Sequence, residues 1–313
     1  MTTVPKVDLV GVGLNATDTV IPLSTYPIRG SKTEYANVST LPGGQVATTV
    51  VACQHWGLRT RYVGKLGDDL AATLHREAFA HAGVEPHILT VPGAASAQSL
   101  ILVDAQGERT VLCRRDDRIT LQPSDLKREW ITNARVLHVD GHDTEAAILA
   151  ATWAREASIP VIADLDELYP NVDDLIRNVD YLIVSRDFPA RLTAEPEIEQ
   201  ALRRMHRRYN CRLAAATLGQ DGVVAWDGKQ LLHTPAYCVP VVDTTGAGDI
   251  FHAGFIYALL QDWALARQLE FACASAALNC TAVGARGGIH RLEDIAELIA
   301  TGAKYPIATH SIR

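Results

Sequence analysis

Short apolar runs recur along the chain, and this recurrence limits the fold more than any other feature. The first reads Val7-Asp8-Leu9-Val10-Gly11-Val12-Gly13, and similar runs follow at 61–63, 135–139, 160–163, 181–184 and 213–216. Runs that are apolar at nearly every position suit strands covered on both faces, as in a parallel sheet. Most are separated by stretches with apolar residues three and four apart: Leu70, Leu74 and Ala78 before a stop at Gly83, and Ile148, Ala151, Ala154 and Ala157 after Asp143. These stripes are expected to face the core. The alternation predicts an α/β fold, a wound and mostly parallel sheet built from right-handed βαβ units and flanked by helices.

Two segments break the alternation. Residues 17–38 lack a helical stripe, and residues 98–113 alternate with period two, turning at Asp104-Ala105-Gln106-Gly107 as a hairpin would. Strands without a helix to cover them are expected to stand off as a small β-sheet lid, made of about residues 15–40 and 98–114 and inserted in a single domain of residues 1–313. The tail after Ala303 is expected to be loosely held.

A formal charge of −7 argues against wholesale nucleic-acid binding, which needs clustered Lys and Arg. The longest apolar stretches, such as 273–277, fall far short of the roughly 20 residues that span a bilayer. No basic-then-apolar segment opens the sequence, so a cytoplasmic protein is expected. The cysteines, at 53, 113, 211, 238, 273 and 280, have no paired spacing and read as reduced thiols buried like small apolar residues.

Chemistry concentrates in Asp243-Thr244-Thr245-Gly246-Ala247-Gly248-Asp249, followed by helical spacing from Ile250 to Phe255. Glycines at a helix start let the amides of Gly246, Ala247 and Gly248 converge, and the helix dipole adds positive potential, which together make an anion site. Asp249, inside the first turn, is expected to be kept ionised by that dipole and to accept a hydroxyl proton beside bound phosphate. Upstream, Gly43-Gly44 opens a helix through 51–56, followed by Gly57 and by Gly64-Lys65-Leu66-Gly67-Asp68-Asp69.

With these two motifs in order, the chain resembles the ribokinase-like PfkB family of carbohydrate kinases from Gly11 to Ile289. Leu137-His138-Val139-Asp140-Gly141 resembles the ketohexokinase branch; residues 249–252 and 276–281 resemble the sulfofructose kinase branch. The resemblance implies ATP-dependent phosphorylation of a primary hydroxyl of a small sugar, with Asp249 as base. It also implies that the sugar lies between lid and sheet against Asp18, Gly43 and Gly44. Gln45 and Thr48 stand where many members have Asn, so a different hydroxyl pattern is expected. Asp140, Asp164 and Asp166 end predicted strands, where an α/β sheet opens its crevice; Asp140 is a candidate sugar contact, and each could equally be a loop carboxylate.

For the nucleotide, the resemblance assigns Thr217, Gly219 and Gly222, and lines the adenine with residues 274–279, including Asn279, and 284–288. Mg²⁺ is implied with ATP, yet the usual Asn-x-x-Glu is replaced by Ser185-Arg186-Asp187-Phe188, leaving Asp187 as a candidate for the metal shell. Asp243 and Thr245 would either cap the turn or hold K⁺, as in the ribokinase branch. Arg109, Arg114, Arg115 and Arg118 read as a solvated face or, at Arg109, as a fork for an acidic sugar, keeping sugar acids and sulfosugars beside neutral ketoses. Gly11-Val12-Gly13 is half a dinucleotide fingerprint without its helix, and no P-loop run exists. The rivals are a nucleoside kinase, with Tyr26 and Tyr35 as the only lid aromatics for a base, and a non-catalytic sugar-binding regulator. An exposed apolar lid face would make a homodimer.

Overall fold

The computed structural model describes residues 6–105 and 108–306. Gln106 and Gly107 of the expected hairpin turn, and the end of the tail, lie outside the described residues. Strands and helices are numbered in chain order. One sheet of nine strands runs β13 (Leu231–Thr234), β12 (Val223–Trp226), β11 (Leu213–Thr217), β10 (Tyr181–Ser185), β9 (Val161–Leu165), β8 (Ala134–Asp140), β1 (Val7–Val12), β4 (Thr60–Leu66), β5 (Glu85–Thr90). All neighbours pair in parallel except β12 and β13, which extend one edge antiparallel.

The helices are α1 (Gln45–His55), α2 (Leu70–Ala82), α3 (Arg128–Ile131), α4 (Thr144–Glu156), α5 (Val172–Ile176), α6 (Phe188–Thr193), α7 (Ile198–Tyr209), α8 (Ala247–Leu260), α9 (Leu265–Asn279) and α10 (Leu292–Thr301). Successive strand residues point to opposite faces. Val10, Val63 and Leu137 therefore pack with α4, α5 and α7, whereas Leu9, Tyr62 and Val136 pack with α1, α2, α8 and α9. Both faces are covered, which is why the strands read as unbroken apolar runs. No helix among the described residues is long and apolar enough to cross a membrane.

A second sheet runs β3 (Ser39–Gly43), β2 (Ala16–Pro22), β6 (Gln98–Val103), β7 (Arg109–Arg114). The chain enters it directly from the carboxyl end of β1, so the small sheet begins at the end of the large sheet where Asp140, Asp164 and Thr217 close their strands. No strand forms between Pro22 and Ser39: Pro27 lacks an amide donor and Gly30 takes a positive φ, so this stretch cannot extend the ladder.

Three expectations about packing need correction. Leu70 is 88% exposed, and α2 turns Ala71, Ala72, His75 and Phe79 inward. The apolar stripe was read one residue out of frame because its core face contains a polar residue, His75, whose Nε2 bonds Thr17 Oγ1 at 3.2 Å. In α4 the buried face is Ala146, Ala147, Ala150, Ala151 and Ala154, with Ala157 exposed. Of the six free cysteines, Cys113 and Cys238 are exposed and the other four are buried. The start of the tail is tied down: Tyr305 N–H donates to the Ala236 carbonyl at 3.0 Å, and Lys304 Nζ pairs with Glu270 at 2.6 Å.

Candidate active site

The glycine turn opens α8 at Gly246, whose φ is +77°. A Cβ there would lie 2.5 Å from the Ala285 carbonyl oxygen, so glycine is required by both backbone conformation and the neighbouring loop. A Cβ at Gly248 would meet nothing within 4 Å. Ala247 N–H donates to the Thr244 carbonyl at 3.2 Å, so one of the three amides expected to line the anion site is engaged within the turn. The Gly246 and Gly248 amides have no partner among the described residues.

Asp243 is buried, with Oδ1 accepting from Thr245 N–H and Oδ2 from Gly284 N–H, each at 2.8 Å. Its carboxylate locks the turn to the 284 loop. Thr245 Oγ1 is buried without a partner, and Asn279 Nδ2 donates to the Thr245 carbonyl at 3.1 Å while its Oδ1 stays unpartnered.

Asp249 is half-buried in the first turn of α8, and Thr49 Oγ1 donates to its carbonyl at 3.0 Å. Its carboxyl is not kept in the usual ionised range by the dipole, as the sequence suggested. Burial first, then Asp164, raises its pKa well above that range; His252 pulls back, Asp18 pushes up, and Arg109 pulls back. The dipole is worth at most a couple of kcal/mol, and desolvation beside other carboxylates outweighs it. Asp164, ending β9, is raised likewise by burial, Asp166 and Asp140. Buried His252, one turn on from Asp249, bonds the Gly248 carbonyl through Nδ1 at 2.9 Å and lies 3.4 Å from Asp164 Oδ2.

Asp18 on β2 is buried, and burial pushes its pKa up to about 6 against the pull of Ser99 and Arg286. The glycine pair serves packing here. A Cβ on Gly43 would lie 1.9 Å from Asp18 Oδ2, and one on Gly44, whose φ is +92°, 2.4 Å from Asn15 Cα. Gln45 Oε1 is buried and unpartnered, and Thr48 Oγ1 accepts from Arg286 Nε at 3.3 Å.

Asp140, expected at the sugar, accepts one backbone bond on each oxygen, from Leu14 N–H at 2.7 Å and His142 N–H at 3.0 Å. It fixes the corner between β1 and β2. Arg109 reaches the turn, with Nη1 donating to Thr244 Oγ1 at 3.0 Å and to its carbonyl at 3.3 Å. Arg286, read as part of an adenine wall, instead reaches the acceptor side, where Nη2 donates to the Gly43 carbonyl at 2.9 Å. The only sequence signal for it was a lone cation among small residues at 284–288.

Thr217 ends β11, with Oγ1 3.4 Å from the Val184 carbonyl. Gly219 and Gly222 take φ of +61° and +82°; a Cβ on Gly222 would strike the Thr234 carbonyl, whereas one on Gly219 meets open space. Asp187 is exposed at the start of α6, and its neighbour Arg186 pairs with Asp221 at 2.7 Å. Among the described residues no group of three His, Cys, Asp or Glu could hold a metal. A groove of about 870 Å³ lined by Tyr257, Trp263, Phe271 and Leu292 contains none of these residues.

An amide turn with an adjacent carboxylate, at the strand ends of a covered parallel sheet, defines a phosphotransferase-type site. The chain belongs to the pfkB family of carbohydrate kinases, whose model matches residues 1–291. It is 30% identical over 266 residues to the aminoimidazole riboside kinase of Salmonella typhimurium, covering 78% of this chain and 83% of that protein. It is 27% identical over 295 residues to the ribokinase of Bacillus subtilis, covering 92% and 98%. The structure of Arabidopsis thaliana ribokinase complexed with ribose and ATP matches with a TM-score of 0.80 at 23% identity, covering 96% of this chain and 100% of that one. The protein is thus an ATP-dependent kinase of a sugar or sugar derivative with a ribokinase-like fold. The relatives single out neither the ketohexokinase nor the sulfofructose kinase branch.

Two outcomes follow from this geometry. Gly246→Ala should destabilise the protein by at least about 1–2 kcal/mol in chemical denaturation. Gly248→Ala should keep or raise stability, since alanine favours helix by up to about 1 kcal/mol, yet lose ATP turnover more than about tenfold. Full turnover in Gly248→Ala would mean that no phosphate passes over this residue. Asp18 binds its proton more tightly folded, at about 6, than the 3.8 of the unfolded chain, so its contribution to stability falls as pH rises from about 4 through 6. Relative to wild type, Asp18→Asn should therefore gain about 2–3 kcal/mol between pH 4 and 7, and a constant difference would contradict the buried carboxyl.

Proposed function

We propose that the protein transfers the γ-phosphoryl group of ATP to a primary hydroxyl of a small sugar, a ketose or an acidic sugar, bound between the small sheet and the strand ends of the large one. The observation that carries this reading is the position of Asp249, in the first turn of the helix that opens at the Gly246 and Gly248 amides. Asp18, the Gly43-Gly44 backbone, Gln45 and Thr48 bind and orient the acceptor. Asp249 then takes the hydroxyl proton as that oxygen attacks. Burial raises the Asp249 carboxyl well above the ordinary carboxylate range, which makes its carboxylate a stronger base than an exposed one, and His252 and Arg109 pull it back toward the ionised form. The Gly246 and Gly248 amides stabilise the charge that develops on the transferred group.

Thr217, Gly219, Gly222 and Asn279 bind the nucleotide on the other side of the turn. Mg²⁺ accompanying ATP would neutralise charge on the transferred group, and Asp187 would be the side chain offered to its water shell. The buried, unpartnered Thr245 Oγ1 supports a monovalent cation such as K⁺ behind the turn, with Asp243 beside it. As a clamp for a nucleobase the site has little to offer, because Tyr26 Oη is engaged with Thr110 Oγ1 at 3.0 Å and Tyr35 is 56% exposed. The small sheet acts as a lid over the acceptor. Its exposed Ile28, Tyr35, Val38, Val111 and Leu112 support a homodimer through the lids, which light scattering would report as twice 33.9 kDa, against a monomer mass if the faces stay apart.

Asp249→Asn should leave the melting temperature within a few degrees of wild type and lower kcat by about 10²- to 10⁴-fold, measured as ADP release with a sugar that turns over. Turnover at the wild-type rate would remove Asp249 as the base.

A further inference from the structure

Arg286 is the charged group at the site that the mechanism leaves unused. Its backbone follows Ala285, which packs on Gly246, and its side chain runs away from the phosphate turn toward α1. Nη2 donates to the Gly43 carbonyl at 2.9 Å, Nε to Thr48 Oγ1 at 3.3 Å, and the guanidinium lies 5.7 Å from the centre of the Phe79 ring. Nη1 is buried with no hydrogen-bond partner. No carboxylate lies within 4.0 Å of Arg286 among the described residues, although the residue is half-buried and its Nη1 fully so, whereas the buried Arg61 pairs with Glu85 at 3.0 Å. Asp18 and Asp249 act on Arg286 through space without touching it, and burial lowers its pKa to about 10, so it stays charged at neutral pH.

A half-buried cation without a contacting anion is disfavoured, and a buried donor left unbonded adds to the cost. Both costs vanish if a ligand supplies an anionic oxygen at Nη1. Next to the Gly43 carbonyl that Arg286 holds, Gly44 packs on Asn15 and is followed by Gln45, and Asn15 Oδ1 and Gln45 Oε1 are buried acceptors that also lack partners. A hydroxy acid matches this set, with hydroxyls donating to the two amide oxygens and a carboxylate accepting from the guanidinium.

We infer that Arg286 is a specificity-determining residue, and that Nη1 binds the carboxylate of a sugar-acid acceptor. The inference rests on the kinase reading above and narrows its acceptor. The other anion that could reach Arg286 is the phosphoryl group in transfer. The anchors on Gly43 and Thr48 favour the acceptor, since they hold the guanidinium against α1 and the small sheet.

The test pairs neutral sugars with matching acids, fructose and ribose against 5-ketogluconate, gluconate and ribonate, in ATP-dependent ADP release, with thermal shift by each sugar alone as an independent binding readout. An acid should be the better acceptor. Arg286→Gln should lower kcat/KM for that acid by about 10- to 150-fold, mostly through KM, as expected for losing one charge-assisted hydrogen bond, and leave neutral sugars within about threefold. Arg286→Lys keeps the charge without the fork, should fold if the glutamine variant does not, and should raise KM for the acid alone. Neutral sugars outperforming every acid, or an equal loss for both classes, would overturn the inference while leaving the kinase reading intact. A fall in kcat with KM unchanged would move Arg286 to the phosphoryl group and also overturn it. If no sugar supports ADP release, the kinase reading fails, and an acid-induced thermal shift that disappears in Arg286→Gln would still support the carboxylate site.

Discussion

A single carboxylate, Asp243, sets the geometry on which the rest of the site depends. Its two oxygens accept from the amide of Thr245, two residues on, and from that of Gly284, 41 residues on, tying the glycine turn to the loop that carries Arg286. Asp140 does the same at the other end of the crevice, joining the corner after β1 to the residues after β8. Backbone amides pointing at a buried carboxylate are satisfied and oriented at once, so loops without regular structure gain the rigidity of strands. Short side chains suit this task because they leave no slack between the loops they join.

The same crowding of carboxylates gives the site its electrostatic character. Asp18, Asp164 and Asp249 converge where burial disfavours charge, and all three are raised. Arg109 from the small sheet opposes that shift at Asp18 and Asp249, and Arg286 from the loop after α9 opposes it at Asp18. Arg109 acts on the candidate base from β7, where its guanidinium donates to Thr244 Oγ1 at 3.0 Å.

The parallel strands were legible in the sequence because burial on both faces leaves no polar interruption. The edge strand β5, with Glu85, Pro86 and His87 facing a wetter border, carries no such run, and the short antiparallel β12 and β13 sit at the opposite edge. Asp249 and its turn were legible because their geometry is local, contained in seven consecutive residues. Arg286 was not, because its partner Gly43 lies 243 residues away. The bond from the Leu14 amide to Asp140 was not legible, because the two residues lie 126 positions apart in the sequence. The inward face of α2 was missed because hydropathy counts His75 as polar, although its bond to Thr17 lets it occupy the core.

The most direct measurement is a structure of the protein with a non-hydrolysable ATP analogue and an acceptor sugar. An Asp249 carboxylate oxygen within about 2.6–3.2 Å of a primary hydroxyl in line with the γ-phosphorus is the predicted result. A hydroxyl in that line resting instead against Asp164 or Asp18, with Asp249 turned away, would contradict it.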